Sequence, residues 1–290
     1  MPSLLEPFAA GFLQRGLAAG LLVALICAVV GTWVVLRGMA FLGEAVAHGM
    51  LPGVAVATIA GAPPIIGAGV SATAMAVGIA VLQRRGRLSA DTSIGLLFVA
   101  SLALGVIIIS ASRSFATDAT AILFGDILAA EASDILTLGI VAAATLALAV
   151  SGHRAFVALT LDPRQAQLLG LRPRLAHIQL VGMVTLAVVA AYQAVGSLLV
   201  VGMLLGPAVA AGRWTARIVS TMALAALIGA GSVVIGLLIS WHAGTAAGST
   251  IAFIAILAAG LSALLRQLTT VARTRRTRGA SLNLPVERTT

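Results

Sequence analysis

Two ionisable side chains, Glu44 and His48, stand four residues apart inside the apolar stretch Phe41-Leu42-Gly43-Glu44-Ala45-Val46-Ala47-His48-Gly49-Met50-Leu51-Pro52-Gly53. Residues four apart share one helix face, so a carboxylate oxygen and an imidazole nitrogen would point the same way. Together they form a half-site for a divalent transition metal. The same spacing also suits a buried ion pair that only holds helices together, and spacing alone leaves both readings open. Four residues beyond His48, Pro52 and Gly53 should kink or break the helix. Broken helices in transporters free backbone groups to face a cavity, which places a breaker beside the pair in a meaningful position.

Three further features are candidates. Asp91 heads another apolar run in Ser89-Ala90-Asp91-Thr92-Ser93-Ile94-Gly95, where helix N-capping explains an aspartate and a secondary metal contact is the alternative. In Leu161-Asp162-Pro163-Arg164-Gln165-Ala166-Gln167-Leu168-Leu169-Gly170, Asp162 reads as an N-cap, Pro163 as the first helical position and Gly170 as the stop. That short capped helix is either a connector between spans or a rigid knob for a partner's groove. The other histidines read as interfacial: His153 beside Arg154 in a loop, His177 opening a span, and His242 after Trp241 at a helix end. Trp33, Trp214 and Trp241 near span ends fit an aromatic belt, and the single cysteine, Cys27, fits buried packing.

The elements that must position these groups follow from composition. Of 290 residues, 60% are hydrophobic and 9% are charged, against roughly 25% charged in a soluble domain. A single water-soluble globule is excluded, and so is disorder. Nine mostly apolar runs near the ~20 residues a span requires fall at about 17–36, 40–60, 65–82, 93–111, 135–151, 175–191, 194–211, 218–241 and 248–265, with a very tight turn at Tyr192–Val195. The chain therefore reads as an all-α, polytopic helical bundle of eight to nine transmembrane helices. Its many glycines and alanines suit close helix packing.

Every one of the 18 basic residues is an arginine. With nine spans and the tail inside, sixteen of them fall on the cytoplasmic side, and only Arg15 and Arg113 fall outside. This predicts the N-terminus out and the C-terminus in. The organisation is then an extracytoplasmic segment over 1–16, a transmembrane region over 17–265 with a cytoplasmic loop at 152–174, and a basic cytoplasmic tail over 266–290 that is solvated and open to disorder from about Val271. The net charge of +9 is thus topology, and nucleic acid is not needed to explain it. The start, with Glu6 and Arg15 ahead of the apolar run, does not read as a cleavable signal peptide.

The chain lacks the motifs of an energy-converting or hydrolytic enzyme. With no lysine there can be no G-x-x-x-x-G-K-[ST] phosphate loop, and no H-E-x-x-H, G-x-S-x-G or Cys/His zinc spacing occurs. Work across the membrane would draw on ATP hydrolysed by another chain, or on an ion gradient.

Five blocks in order resemble the integral membrane permeases of ABC importers for manganese, zinc and iron. Glu44–Gly53 resembles that family's Asp-Ala-x-Ser-His-x-x-Leu-Pro-Gly block. Asp91–Gly95, Phe124–Leu128, Asp162–Gly170 and Val195–Ala208 resemble four others, and the likeness spans roughly residues 15–265. Three departures stand out: Glu44 replaces the usual aspartate, Ala47 replaces a serine, and Ala247-Gly248 stands where Pro/Ser-Gly is usual. The longer glutamate keeps a carboxylate but shifts cavity size or metal preference.

The resemblance implies a prokaryotic cell-membrane permease without its own ATPase site and without a permanent cofactor. It implies a homodimer, a cytoplasmic ATPase subunit under each copy, and an extracytoplasmic metal-binding protein that delivers Zn²⁺ or Mn²⁺. Glu44 and His48, with Asp91 as a lesser contact, would be transient ligands, and Asp162, Pro163, Ala166 and Gly170 would form the coupling helix to the ATPase. A gradient-driven metal carrier and an intramembrane metalloenzyme are the competing classes. The carrier would need no docking element, and the enzyme would need a third ligand and an activated water.

Overall fold

In lipid a backbone has no water to bond, so its polar groups must be satisfied within the chain, and helices do this segment by segment. The computed structural model describes residues 10–85, 89–111, 127–161 and 173–281, and all its elements are helical among them. They are α1 (Gly11–Leu36), α2 (Ala40–Gly49), α3 (Leu51–Ile59), α4 (Pro64–Arg85), α5 (Ala90–Ala111), a 3₁₀ turn (Ile127–Ala129), α6 (Ala132–Leu161), α7 (Pro173–Val195), α8 (Ser197–Gly212), α9 (Ile218–Ala243) and α10 (Ala247–Ser281).

Each of the nine expected spans lies on one of these helices, with α2 and α3 sharing one. Eight stretches are long and apolar enough to cross a membrane, while the apolar part of α8, Leu199–Gly212, is shorter. The fold is an all-α bundle of multi-pass type. At its centre lies α1, packed against α6, α7, α8 and α9. Its outer faces carry apolar side chains such as Val150, Leu227, Ile107 and Leu268, all more than 60% exposed, as a lipid-facing belt would be.

Small residues set the helix crossings. A Cβ on Gly31 would lie 1.9 Å from the Leu204 carbonyl oxygen, so α1 and α8 meet backbone to backbone there. Gly206 meets the Ala255 carbonyl of α10 at 2.6 Å by the same measure. The turn between α7 and α8 is made by Gly196, whose φ of +81° and ψ of 162° suit only glycine.

Several boundaries differ from the sequence reading. α1 begins at Gly11, ahead of the expected 17. Within the expected 152–174 loop α6 continues to Leu161, despite Ser151-Gly152-His153-Arg154. His153 is therefore a helical residue, its ring edge-on to Trp33 at 5.6 Å. Trp33 is fully buried beneath that ring and Phe156, so it belongs to the core rather than to an interfacial belt. Trp214 and Trp241 stay about half exposed. Beyond Val271 the chain is still helical, to Ser281.

Candidate functional site

The helix that carries Glu44 and His48 is broken in two. α2 ends at Gly49, α3 starts at Leu51, and Met50 between them keeps φ −76° and ψ −25°, so the direction is nearly conserved. Pro52 is the physical cause. Its ring carries no N–H for the His48 carbonyl and crowds the preceding turn. The neighbouring Gly49 carbonyl is instead taken by Ser71, whose Oγ–H donates to it at 2.6 Å from α4. Ser71→Ala should leave that carbonyl unpaired and lower stability by about 1–2 kcal/mol, read as a lower melting temperature of the purified chain.

On the last turns of α2 the two ionisable groups meet. His48 Nε2 lies 2.9 Å from Glu44 Oε1, and because a carboxylate only accepts, Nε2–H donates. In the neutral imidazole Nδ1 then carries the lone pair, and that buried atom has no partner among the described residues. The carboxylate thus fixes the imidazole tautomer and leaves its other nitrogen a potential ligand, an arrangement common around metals. The Phe98 ring of α5 stands edge-to-face at 5.5 Å from the imidazole and limits its rotation.

Glu44 opens onto a cavity of about 530 Å³ among Phe41, Ile94, Gly95, Phe98, Val201 and Leu205, so α2, α5 and α8 enclose it. The walls are apolar apart from Glu44, which leaves the carboxylate as the group that attracts a cation. Glu44 keeps 36% side-chain exposure and His48 21%. Among the described residues no three His, Cys, Asp or Glu side chains gather as a metal site.

Asp91 sits in the first turn of α5, one turn before the cavity residues Ile94 and Gly95, and its side chain lies outside the described residues. It is not the helix cap. Ser89 is, with its Oγ accepting the Thr92 N–H at 3.1 Å. Both residues are good caps, and the helix start at Ala90 decides between them. Asp162, Pro163, Ala166 and Gly170 also lie outside the described residues, as do Phe124 to Asp126 of the third block.

The remaining histidines stand apart from the pair. His177 lines an apolar groove of about 420 Å³ between α4 and α7, and His242 bonds the Leu238 carbonyl through Nδ1 at 2.8 Å.

Sequence reasoning missed two positioning groups. Phe98 is one, lost in an apolar run. Arg37 is the other: its Nη1 donates to the Leu159 carbonyl at the end of α6. Burial pushes the Arg37 pKa below its ordinary value, though a guanidinium stays cationic at neutral pH.

Comparison with known proteins agrees with this architecture. The ABC 3 transport family matches over residues 9–266. The manganese transport system membrane protein MntC of Listeria innocua is 38% identical over 245 residues, covering 84% of this chain and 87% of that one. The chelated iron transport system membrane protein YfeD of Yersinia pestis is 32% identical over 251 residues, covering 86% and 84%. Among solved structures, PsaBC from Streptococcus pneumoniae in complex with Fab superposes with a TM-score of 0.79 at 33% identity, covering 89% of this chain and 94% of that one. The all-α, multi-pass bundle agrees with these matches, and the chain belongs to the ABC 3 transport family as a cell-membrane permease.

Proposed function

We infer that this permease moves a divalent transition metal, Mn²⁺ or Zn²⁺, into the cytoplasm by alternating access. Two copies of the chain form the pathway, N-termini outside and C-termini inside. A cytoplasmic ATPase subunit sits under each copy, and an extracytoplasmic metal-binding protein feeds the outer face. Glu44 and His48 are the transient ligands, with Asp91 as a secondary contact one turn along α5 from the cavity wall. Asp162, Pro163, Ala166 and Gly170 form the coupling helix.

The observation that carries this reading is the Glu44–His48 pair, 2.9 Å apart beside a helix break, with Glu44 lining an apolar cavity. Few ligands suit a pathway, since an ion must leave as readily as it enters. An oxygen–nitrogen donor pair accepts manganese, zinc or iron. The manganese systems among the relatives favour Mn²⁺. The arginine distribution supports the orientation.

The test is uptake of radiolabelled manganese and zinc into proteoliposomes holding this chain with its ATPase and binding protein. ATP-dependent uptake of one metal supports the reading and names the cargo. An assembled complex that takes up neither would sink it. In the same preparation, Asp162→Ala should cut co-purification of the ATPase at least about tenfold, the scale on which a single buried contact matters at an interface. A gradient-driven carrier or a metalloenzyme would be indifferent to that change.

A further inference from the structure

Arg37 occupies the three-residue link between α1 and α2, and everything around it is held in place. Its own N–H bonds the Trp33 carbonyl at 3.0 Å, the Gly38 N–H bonds Val35 at 3.1 Å, and the Met39 N–H bonds Val34 at 3.0 Å. Gly38, at φ +64°, makes the turn tight, and Met39 is buried. The link is therefore a stiff corner rather than a slack loop.

From this corner the guanidinium reaches across the bundle to Leu159, 122 residues away in sequence. That carbonyl belongs to the last described turn of α6, and its oxygen accepts from the guanidinium fork. The Trp33 ring, one turn before Arg37, packs at 5.3 Å on Phe156 of the same turn of α6, a second tie between these elements. The Nε atom of Arg37 is buried with no partner among the described residues. The guanidinium thus keeps a spare donor for another arrangement of the same helix ends.

What lies on each side of this contact gives it a purpose. α2, with Glu44 and His48, begins three residues after Arg37. The described part of α6 reaches Leu161, and the sequence runs directly into Asp162–Gly170. One bonded side chain thus joins Leu159 of α6 to the link that opens α2.

We propose that Arg37 is a positioning residue that couples the end of α6 to α2, so that motion imposed at the ATPase side reorients the Glu44–His48 pair. This rests on the coupling reading of Asp162–Gly170 given above. The residue touches no metal and no nucleotide. Its effect is on the number of ions moved per ATP hydrolysed.

Metal uptake and ATP hydrolysis are measured in the same proteoliposomes holding the complete transporter, for wild type, Arg37→Ala and Arg37→Lys. Arg37→Ala should lower metal moved per ATP about tenfold, within the usual range of coupling between sites, while the ATPase stays bound and basal hydrolysis stays within about twofold. Arg37→Lys keeps a cation for the carbonyl but not the fork, and should fall between the two. An unchanged ratio in Arg37→Ala, including one where both rates drop together, overturns the proposal and leaves Arg37 a structural residue. If Arg37→Ala does not assemble, Arg37→Lys is decisive: a lowered ratio supports coupling and an unchanged ratio overturns it. Wild type without ATP-driven uptake would instead remove the functional reading itself, and this proposal with it.

Discussion

Glu44→Gln should reduce metal uptake at least about 100-fold while leaving the permease folded. The size follows from what is removed. Losing a group that merely orients a metal ligand typically costs 10–100-fold, and here the charged donor itself goes. Glutamine is nearly isosteric and its amide oxygen still accepts the His48 Nε2–H, so the 2.9 Å contact can persist. The pair is partly exposed, 36% and 21%, and an exposed ion pair contributes only about 0–1 kcal/mol. Stability should therefore move little. Uptake and melting temperature measured side by side separate the two readings of the pair. A glutamine variant that transports at the wild-type rate would make Glu44–His48 a structural pair within α2. Glu44→Asp is the companion, since it keeps the charge one methylene shorter and should retain uptake with altered preference between manganese and zinc.

Much of the bundle was legible because lipid imposes a simple rule: nine apolar stretches had to be helices. The ends were harder to read. Ser151-Gly152-His153-Arg154 has the polarity of a loop, yet α6 runs on to Leu161, because a helix leaving the apolar layer need not stop there. That extension carries His153 and Phe156 over Trp33 and buries a ring that sequence position had assigned to the interface. At α5, serine and aspartate stand two residues apart and both cap well. Only the observed boundary gives the cap to Ser89. The site was half legible. Its ionisable residues announced themselves by being rare in an apolar chain, whereas Phe98 on His48 and Arg37 on Leu159 join residues 50 and 122 positions apart. No local pattern encodes such contacts.

Gly53→Ala should be strongly damaging for so small a substitution. A Cβ at Gly53 would lie 2.1 Å from the Gly67 carbonyl oxygen and 2.5 Å from Ser71 Cβ. Neither is the tip of a flexible side chain, so α3 and α4 would have to separate. Overpacking of this kind costs about 3 kcal/mol or somewhat more, and it falls where separation is hardest. On its other side α3 meets α5, where a Cβ on Gly105 would already be 3.1 Å from Leu51 Cβ. Pushing α3 off α4 also stretches the Ser71–Gly49 bond that relieves the helix break. The melting temperature should fall by roughly 6–12 °C, taking 2–4 °C per kcal/mol, and uptake should fall with it. Gly69→Ala is the internal control, two residues from Gly67 on α4 but with nothing within 4 Å of its Cβ position. There alanine should be neutral or stabilising by up to about 1 kcal/mol, through helix propensity alone. Equal melting temperatures for the two variants would show that α3 and α4 do not cross at Gly53, and the joint beside Glu44 and His48 would then need another anchor.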